Sequence, residues 1–191
     1  MIGEDCIIRE HVTIHAATKP DIPTRIGNRA FMMVGSHVGH DGQVGNNVTM
    51  VNSALVAGHA QVADNVTMSG NTGVHQFTRV GRMVFITGNC GVSMDVPPFC
   101  VVAYRNTLFT VNLVGLRRSG VLREHITAVR DAFWHVFRKT LTRPEMLREL
   151  EARGKDCPLV QEQAEFVATA KRPICRGRLN ANAISDAEAF T

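Results

Sequence analysis

IGNRAFMMVGSHVGHDGQVGNNVTMVNSALVAGHAQVADNVTM, residues 26–68, carries an aliphatic residue at every sixth position: Ile26, Met32, Val38, Val44, Met50, Val56, Val62 and Met68. The count continues through Val74, Val80, Ile86 and Val92, and reaches back to Ile14, Ile8 and Ile2, with Pro20 as its one break. A strand repeats every two residues and a helix about every 3.6. A period of six fits neither alone. It fits a chain that runs briefly extended, turns a corner and runs again, one side of a triangular prism per hexapeptide. Three sides close a coil, so residues about 18 apart stack, with the marker aliphatic pointing inward. A parallel sheet with helical crossovers is excluded because residues 26–97 leave no room for helices.

Small residues often follow the marker, as in Ile26-Gly27, Val44-Gly45, Val56-Ala57, Val62-Ala63 and Val80-Gly81. They are expected to permit the tight corner and, for glycine, positive φ. Asn28, Asn46, Asn47, Asn65 and Asn71 suit corners as well, since asparagine tolerates the left-handed region. A second small or β-branched residue falls four after the marker, at Ser36, Val48, Ala54, Val66, Thr72 and Cys90. Residues 15–25, HAATKPDIPTR, interrupt the prism and read as a loop leaving one corner. Pro97-Pro98 ends the repeat.

Helical spacing begins near Leu116 and runs through Leu122, Ile126, Val129, Phe133, Val136 and Phe137. Thr142, Pro144 and Glu145 form a capping-box pattern that opens a second helix through Leu150. A third helix is expected from about Leu159 to Ala170. The division is then a β-helix over 1–98, a connecting segment over 99–120, an α-helical region over 121–178, and a small, polar, disordered tail over 179–191.

The chain has 191 residues, 45% hydrophobic and 20% charged, which excludes a disordered chain. One Trp and one Tyr leave a core of small and branched aliphatics. A net charge of +4, without a basic stripe interleaved with aromatics, points away from nucleic acid and suits an anionic partner. Five cysteines, an odd number without a CxxC, fit a reducing cytoplasm. The opening residues, MIGEDC, do not read as a signal peptide, and no apolar run approaches the ~20 residues of a membrane span.

His37, His40, His59 and His75 lie in the prism region, none at a marker position. The stacking interval relates Asp41 to His59 and His40 to Gly58. An imidazole at His40 with a carboxylate beside it at Asp41 suits general-base chemistry on a hydroxyl attacking a thioester. A glycine N–H suits the resulting oxyanion. Two other readings of the same residues stand beside this one. The histidines decorate a solvated face, or His37-x-x-His40 with His59 or His75 holds zinc and activates water.

GSHVGHDGQVGN (35–46) resembles the acyl-carrier-protein–UDP-N-acetylglucosamine O-acyltransferase family of lipid A biosynthesis. So do TIHAAT (13–18), LVAGHAQV (55–62), GNTGVHQF (70–77), GVSMDVPPF (91–99) and VNLVGLRRSG (111–120). The resemblance covers residues 1 to about 140. It implies a left-handed parallel β-helix followed by a C-terminal α-helical region, a homotrimer with clefts between subunits, and no cofactor or metal. It also implies acyl carrier protein and a nucleotide sugar as partners. His40 then matches the general base, Asp41 its partner and Gly58 the oxyanion donor. His37, His59, His75 and Gln76 match residues lining the substrate cleft. Gly88 matches the end of the acyl pocket, and Asn112 and Arg118 match nucleotide-side contacts. Val114, Asn106, Thr110 and Ser119 depart from the family pattern, and its first several coils have no counterpart. The acyl-transfer centre is therefore retained while the acceptor side is partly rewritten. Alternatives are the same chemistry on another acceptor, or a non-catalytic paralogue with a structural role.

Overall fold

The computed structural model describes residues 1–177, so the expected tail over 179–191 lies outside the described residues. The first half is a left-handed parallel β-helix built from two-residue strands. One face stacks Ile7–Ile8, Phe31–Met32, Thr49–Met50, Thr67–Met68 and Phe85–Ile86. A second stacks Thr13–Ile14, His37–Val38, Leu55–Val56, Gly73–Val74 and Gly91–Val92. The third stacks Arg25–Ile26, Gln43–Val44, Gln61–Val62 and Arg79–Val80.

Each marker from Ile26 to Val92 is buried, and so are the residues four after it, including Ser36, Val48, Ala54, Val66, Thr72 and Cys90. Burying one such aliphatic contributes roughly 1.5–3 kcal/mol. The filling is narrow, which is why Val and Met serve and rings are rare. Ile2 and Ile8 in the first coil stay about half exposed, at 52% and 43%.

Upper coils repeat with an offset of 18, as in Phe31 opposite Thr49 and Gln43 opposite Gln61. Ile7 lies opposite Phe31 and Thr13 opposite His37, an offset of 24. The first coil thus holds one extra hexad, and residues 15–25 carry it.

The corner chemistry differs from the sequence expectation. Gly27, Gly45 and Gly81 do not have positive φ. Left-handed backbone falls three residues after the marker, on Arg29, Gly35, Asn47, Asn65, Asn71 and Asn89 among others. Asn47, Asn65 and Asn71 therefore sit where asparagine is tolerated, but Asn28 and Asn46 do not. Those two build a ladder instead: the Asn28 N–H donates to Asn46 Oδ1 at 2.9 Å and the Asn46 N–H to Asp64 Oδ1 at 2.7 Å. The glycines after the markers are there for space. A Cβ on Gly27 would lie 2.5 Å from the Gly45 carbonyl carbon, and one on Gly81 2.5 Å from the Pro98 nitrogen.

The double proline does not end the stack. Cys100–Ala103 pairs in parallel with Phe85–Ile86 and adds a rung to the first face. It then folds back as a hairpin on Thr107–Val111. Periodicity counted in sixes is blind to this hairpin, because its strands are longer and antiparallel. Helices α1 (Leu113–Arg118), α2 (Arg123–Ala132), α3 (Arg143–Arg153) and α4 (Pro158–Ala168) follow, with a π-helical turn over Phe133–Phe137. Ile126, Val129, Phe133, Val136 and Phe137 are buried as their spacing predicts, whereas Leu122 precedes α2 and is exposed. At the start of α3 the Glu145 carboxylate accepts from the Thr142 N–H at 2.7 Å and its hydroxyl at 2.6 Å, completing the capping box. Arg79 and Arg82 tie α4 to the prism: Arg79 donates to the Phe166 carbonyl and pairs with Asp95, and Arg82 pairs with Glu162 at 2.7 Å.

Gly81→Ala should lower stability by about 1–3 kcal/mol, because its Cβ would press on the backbone of the coil above. Gly91→Ala, whose Cβ meets nothing within 4 Å, should be nearly neutral. Urea denaturation of the two variants measures the difference.

Candidate active site

Two columns of side chains climb one corner of the prism, at the end of its second face. His40, Gly58 and Gln76 lie two residues after their markers, and Asp41, His59 and Phe77 lie three after. The latter three occupy the left-handed position, with φ of 59°, 58° and 61°. Such backbone costs an ordinary L-residue roughly 1–2 kcal/mol. The stacking brings Asp41 under His59 and His40 under Gly58.

The His40 Nδ1 lies 2.8 Å from Asp41 Oδ2. His59 Nε2 is 3.6 Å from the same oxygen, and the two imidazoles meet edge to face at 5.1 Å. Phe77 stacks flat on His59, centroids 4.8 Å apart. A Cβ on Gly58 would fall 2.7 Å from His40 Nε2, so only glycine leaves the imidazole its place. Among the described residues no acceptor takes the Gly58 N–H.

The loop over 15–25 holds Asp41. Thr18 donates its N–H to Oδ1 at 2.9 Å and its hydroxyl to Oδ2 at 2.7 Å, while the Asp41 N–H donates to Thr24 Oγ1 at 2.8 Å. Hydrogen bonds from His40 and then Thr18 hold the Asp41 carboxyl well below the usual carboxylate range, so it is ionised at neutral pH. Sequence reasoning identified the loop but not this use of it. A threonine that reaches a residue 23 positions away leaves no local signal.

A cleft of about 960 Å³ runs up the second face from His40 to the hairpin turn. His37, His40, Gly58 and His75 line it, joined by His15, Leu55, Tyr104 and Arg105, which the sequence had not singled out. His37 shares a hydrogen bond with the Thr13 hydroxyl through Nδ1 at 2.8 Å and packs edge-on against His15 at 4.6 Å. Burial, then the neighbouring His15, lowers its pKa. His75 Nδ1 approaches the Gln76 carbonyl at 3.2 Å.

His59, Gln76 and Gly88 lie outside this lining, as do Asn112 and Arg118. Asn112 caps α1, accepting from the Gly115 N–H at 2.9 Å and donating to the Met83 carbonyl at 2.8 Å. Arg118 is exposed at the end of α1. Asn106 accepts from the Ser93 N–H at 2.7 Å and donates to its hydroxyl at 2.9 Å, pinning the hairpin turn over the cleft. The zinc set suggested by His37-x-x-His40 does not assemble. Among the described residues the compact group of candidate ligand atoms is His40, Asp41 and His59, without His37 or His75.

Residues 95–175 match the family described as UDP N-acetylglucosamine O-acyltransferase, domain 2. The acyl-[acyl-carrier-protein]–UDP-N-acetylglucosamine O-acyltransferase of Aquifex aeolicus is 53% identical over 180 residues, covering 92% of this chain and 68% of the relative. Its counterpart in a Sulfurihydrogenibium strain is 52% identical over 175 residues, covering 91% and 65%. The UDP-N-acetylglucosamine acyltransferase structure from Francisella novicida superposes with a TM-score of 0.87 at 34% identity, covering 96% of this chain and 67% of that one. The chain thus spans about two thirds of the length of the relatives it matches.

Thr18→Val should raise the Asp41 pKa toward the ordinary range, while Thr18→Ser should keep it low. Carboxyl NMR titration reads this directly. Because the folded pKa is depressed, Asp41 favours the fold above the ordinary aspartate range. That contribution is lost as pH falls below it toward the folded value. The valine variant should therefore lose less stability on acidification than the wild type.

Proposed function

Because the chain belongs to the acyl-[acyl-carrier-protein]–UDP-N-acetylglucosamine O-acyltransferase family, we propose that it transfers a 3-hydroxyacyl-type fatty acyl group from acyl carrier protein to a hydroxyl of a UDP-N-acetylglucosamine-type sugar. This is the first step of lipid A biosynthesis, and the reaction needs no metal or cofactor. The observation that carries the reading is the His40–Asp41 pair at 2.8 Å beside a glycine whose side-chain space the imidazole fills.

The chemistry follows from the tautomer. Ionised Asp41 accepts from His40 Nδ1–H, which leaves Nε2 as the free base. Nε2 takes the proton of the acceptor hydroxyl as its oxygen bonds to the thioester carbonyl carbon. Negative charge moves to the carbonyl oxygen, where the Gly58 N–H donates. Collapse breaks the carbon–sulfur bond, and the imidazolium returns its proton to the departing thiolate. Thr18 keeps the carboxylate aimed throughout, and Thr24 holds the Asp41 backbone. His37 and His75 contact substrate around this centre, with His59 and Gln76 beside it, Gly88 borders the acyl end and Arg118 faces the nucleotide, while Asn112, its amide committed within the protein, fixes the start of α1.

The protein acts as a homotrimer in the cytoplasm, with each cleft closed by a neighbouring subunit. Leu55, Phe77 and Tyr104, about half exposed around the site, support that closure. No helix among the described residues is long and apolar enough to cross a membrane. A second reading, the same transfer to a different acceptor, is favoured by two side chains. Asn106 and Asn112 both spend their amides on internal hydrogen bonds.

Acyl carrier proteins of several chain lengths, incubated with a panel of nucleotide sugars and read by product mass, test the assignment. His40→Ala should lower turnover roughly 10²–10⁴-fold with the trimer intact by light scattering. Gly88→Met should favour shorter donors, since each excluded methylene forfeits about 0.8 kcal/mol of burial, while short donors still turn over. Equal loss on all donors from both substitutions, or a fully active His40→Ala, would overturn the assignment of this cleft.

A further inference from the structure

The His40–Asp41–His59 corner has a geometry that the acyl-transfer reading does not use. Asp41 Oδ2 lies 2.8 Å from His40 Nδ1 and 3.6 Å from His59 Nε2. The ligand atoms of the three residues fall within 4.8 Å of one another. Zinc binds nitrogen and oxygen at about 2.0–2.2 Å, so the edges of its tetrahedron measure about 3.3–3.6 Å. The 3.6 Å separation already meets that value, and a small side-chain rotation would open the 2.8 Å one to it.

We propose that His40 Nδ1, Asp41 Oδ2 and His59 Nε2 form a site for one borderline divalent cation, zinc above all, and that its occupancy switches off the general base. Two histidines and a carboxylate are the donor set that such ions select, and hard cations such as magnesium are poorly matched to it. The two imidazoles are reachable, with 44% and 35% of their side chains exposed, while Asp41 is sheltered. The support around the donors is already built. Thr18 orients the carboxylate through two hydrogen bonds, and Phe77 fixes the plane of His59. The fourth coordination position would hold water.

The inhibitory effect follows from proton accounting. A neutral imidazole carries one N–H. Metal on Nδ1 takes that nitrogen's lone pair, so the proton, exchanged through solvent, resides on Nε2. That is the nitrogen which must be free to accept the acceptor's proton. The carboxylate simultaneously exchanges its His40 hydrogen bond for a metal bond. Metal and acceptor proton therefore compete for one histidine. The switch rests on the general-base reading of His40, whereas the binding site does not.

Cobalt(II) titrated into the metal-free protein reports the site through the visible absorption bands of tetrahedral coordination, and zinc calorimetry gives the affinity. One ion per chain is expected. Binding should weaken more than about tenfold in His59→Ala and in Asp41→Asn. It should persist in His37→Ala and His75→Ala, whose imidazoles share the cleft but not the cluster. Absence of tetrahedral cobalt bands, or binding that survives His59→Ala, overturns the site. In the transfer assay, zinc should inhibit and a chelator should restore turnover. Binding with this pattern but undiminished transfer overturns the switch. A metal-free protein that transfers no acyl group to any acceptor defeats the functional reading and leaves the binding site to be judged on its own titration.

Discussion

The whole β-helix depends on one backbone constraint, a left-handed residue placed once in each hexad. That residue bends the chain sharply enough for two-residue strands to form three flat faces, and it holds the inward side chains in register from coil to coil. Glycine occupies the position at Gly35, but most corners use Asn, Asp, His, Ser, Arg, Met or Phe. The unfavourable local conformation is offset by rungs of parallel hydrogen bonds and by the continuous apolar column from Ile26 to Val92. Each corner is stable only because the coils above and below over-determine it.

The candidate site exploits that over-determination. Asp41 and His59 stand at corner positions, so their backbones are fixed by the stack and not by local preference. His40 and Gly58 stand one residue earlier and inherit the same rigidity. What the prism cannot supply is a set of donors for a carboxylate near its surface. The extra hexad of the first coil supplies them through the Thr18 N–H and hydroxyl, while Thr24 Oγ1 accepts from the Asp41 N–H. An ionised carboxylate sheltered beside an imidazole is costly unless it is hydrogen-bonded, and here its oxygens receive both threonine groups and the ring N–H.

The prism was legible in the sequence because its inward residues repeat at a fixed interval, and the stacking of Asp41 with His59 and His40 with Gly58 follows from arithmetic. Three things were not legible. Glycines after the markers look like turn residues, yet Gly27 and Gly81 are required by the backbone of the next coil, a contact between residues 17 or 18 positions apart. The Cys100–Val111 hairpin has no hexad signature. Asn112 and Asn106 look like available polar side chains, but the helix cap and the pinned turn that engage them depend on tertiary position. Where the chemistry of a residue is local, as in the Thr142–Glu145 capping box, sequence and structure coincide.

The hairpin matters beyond its own packing. A parallel stack of identical rungs presents unpaired N–H and C=O groups at its last coil, a template on which another molecule could add. Here the first face ends instead in the antiparallel strand Thr107–Val111, followed by Arg176–Gly177. Val96 bridges to Val80 on the third face, and the backbone of Asp95 is taken up by Pro173 and Cys175. The first and third faces thereby end on pairing unlike that of the prism, whereas the second face ends at Gly91–Val92. Among the described residues, two of the three faces therefore offer no identical rung on which a second prism could stack.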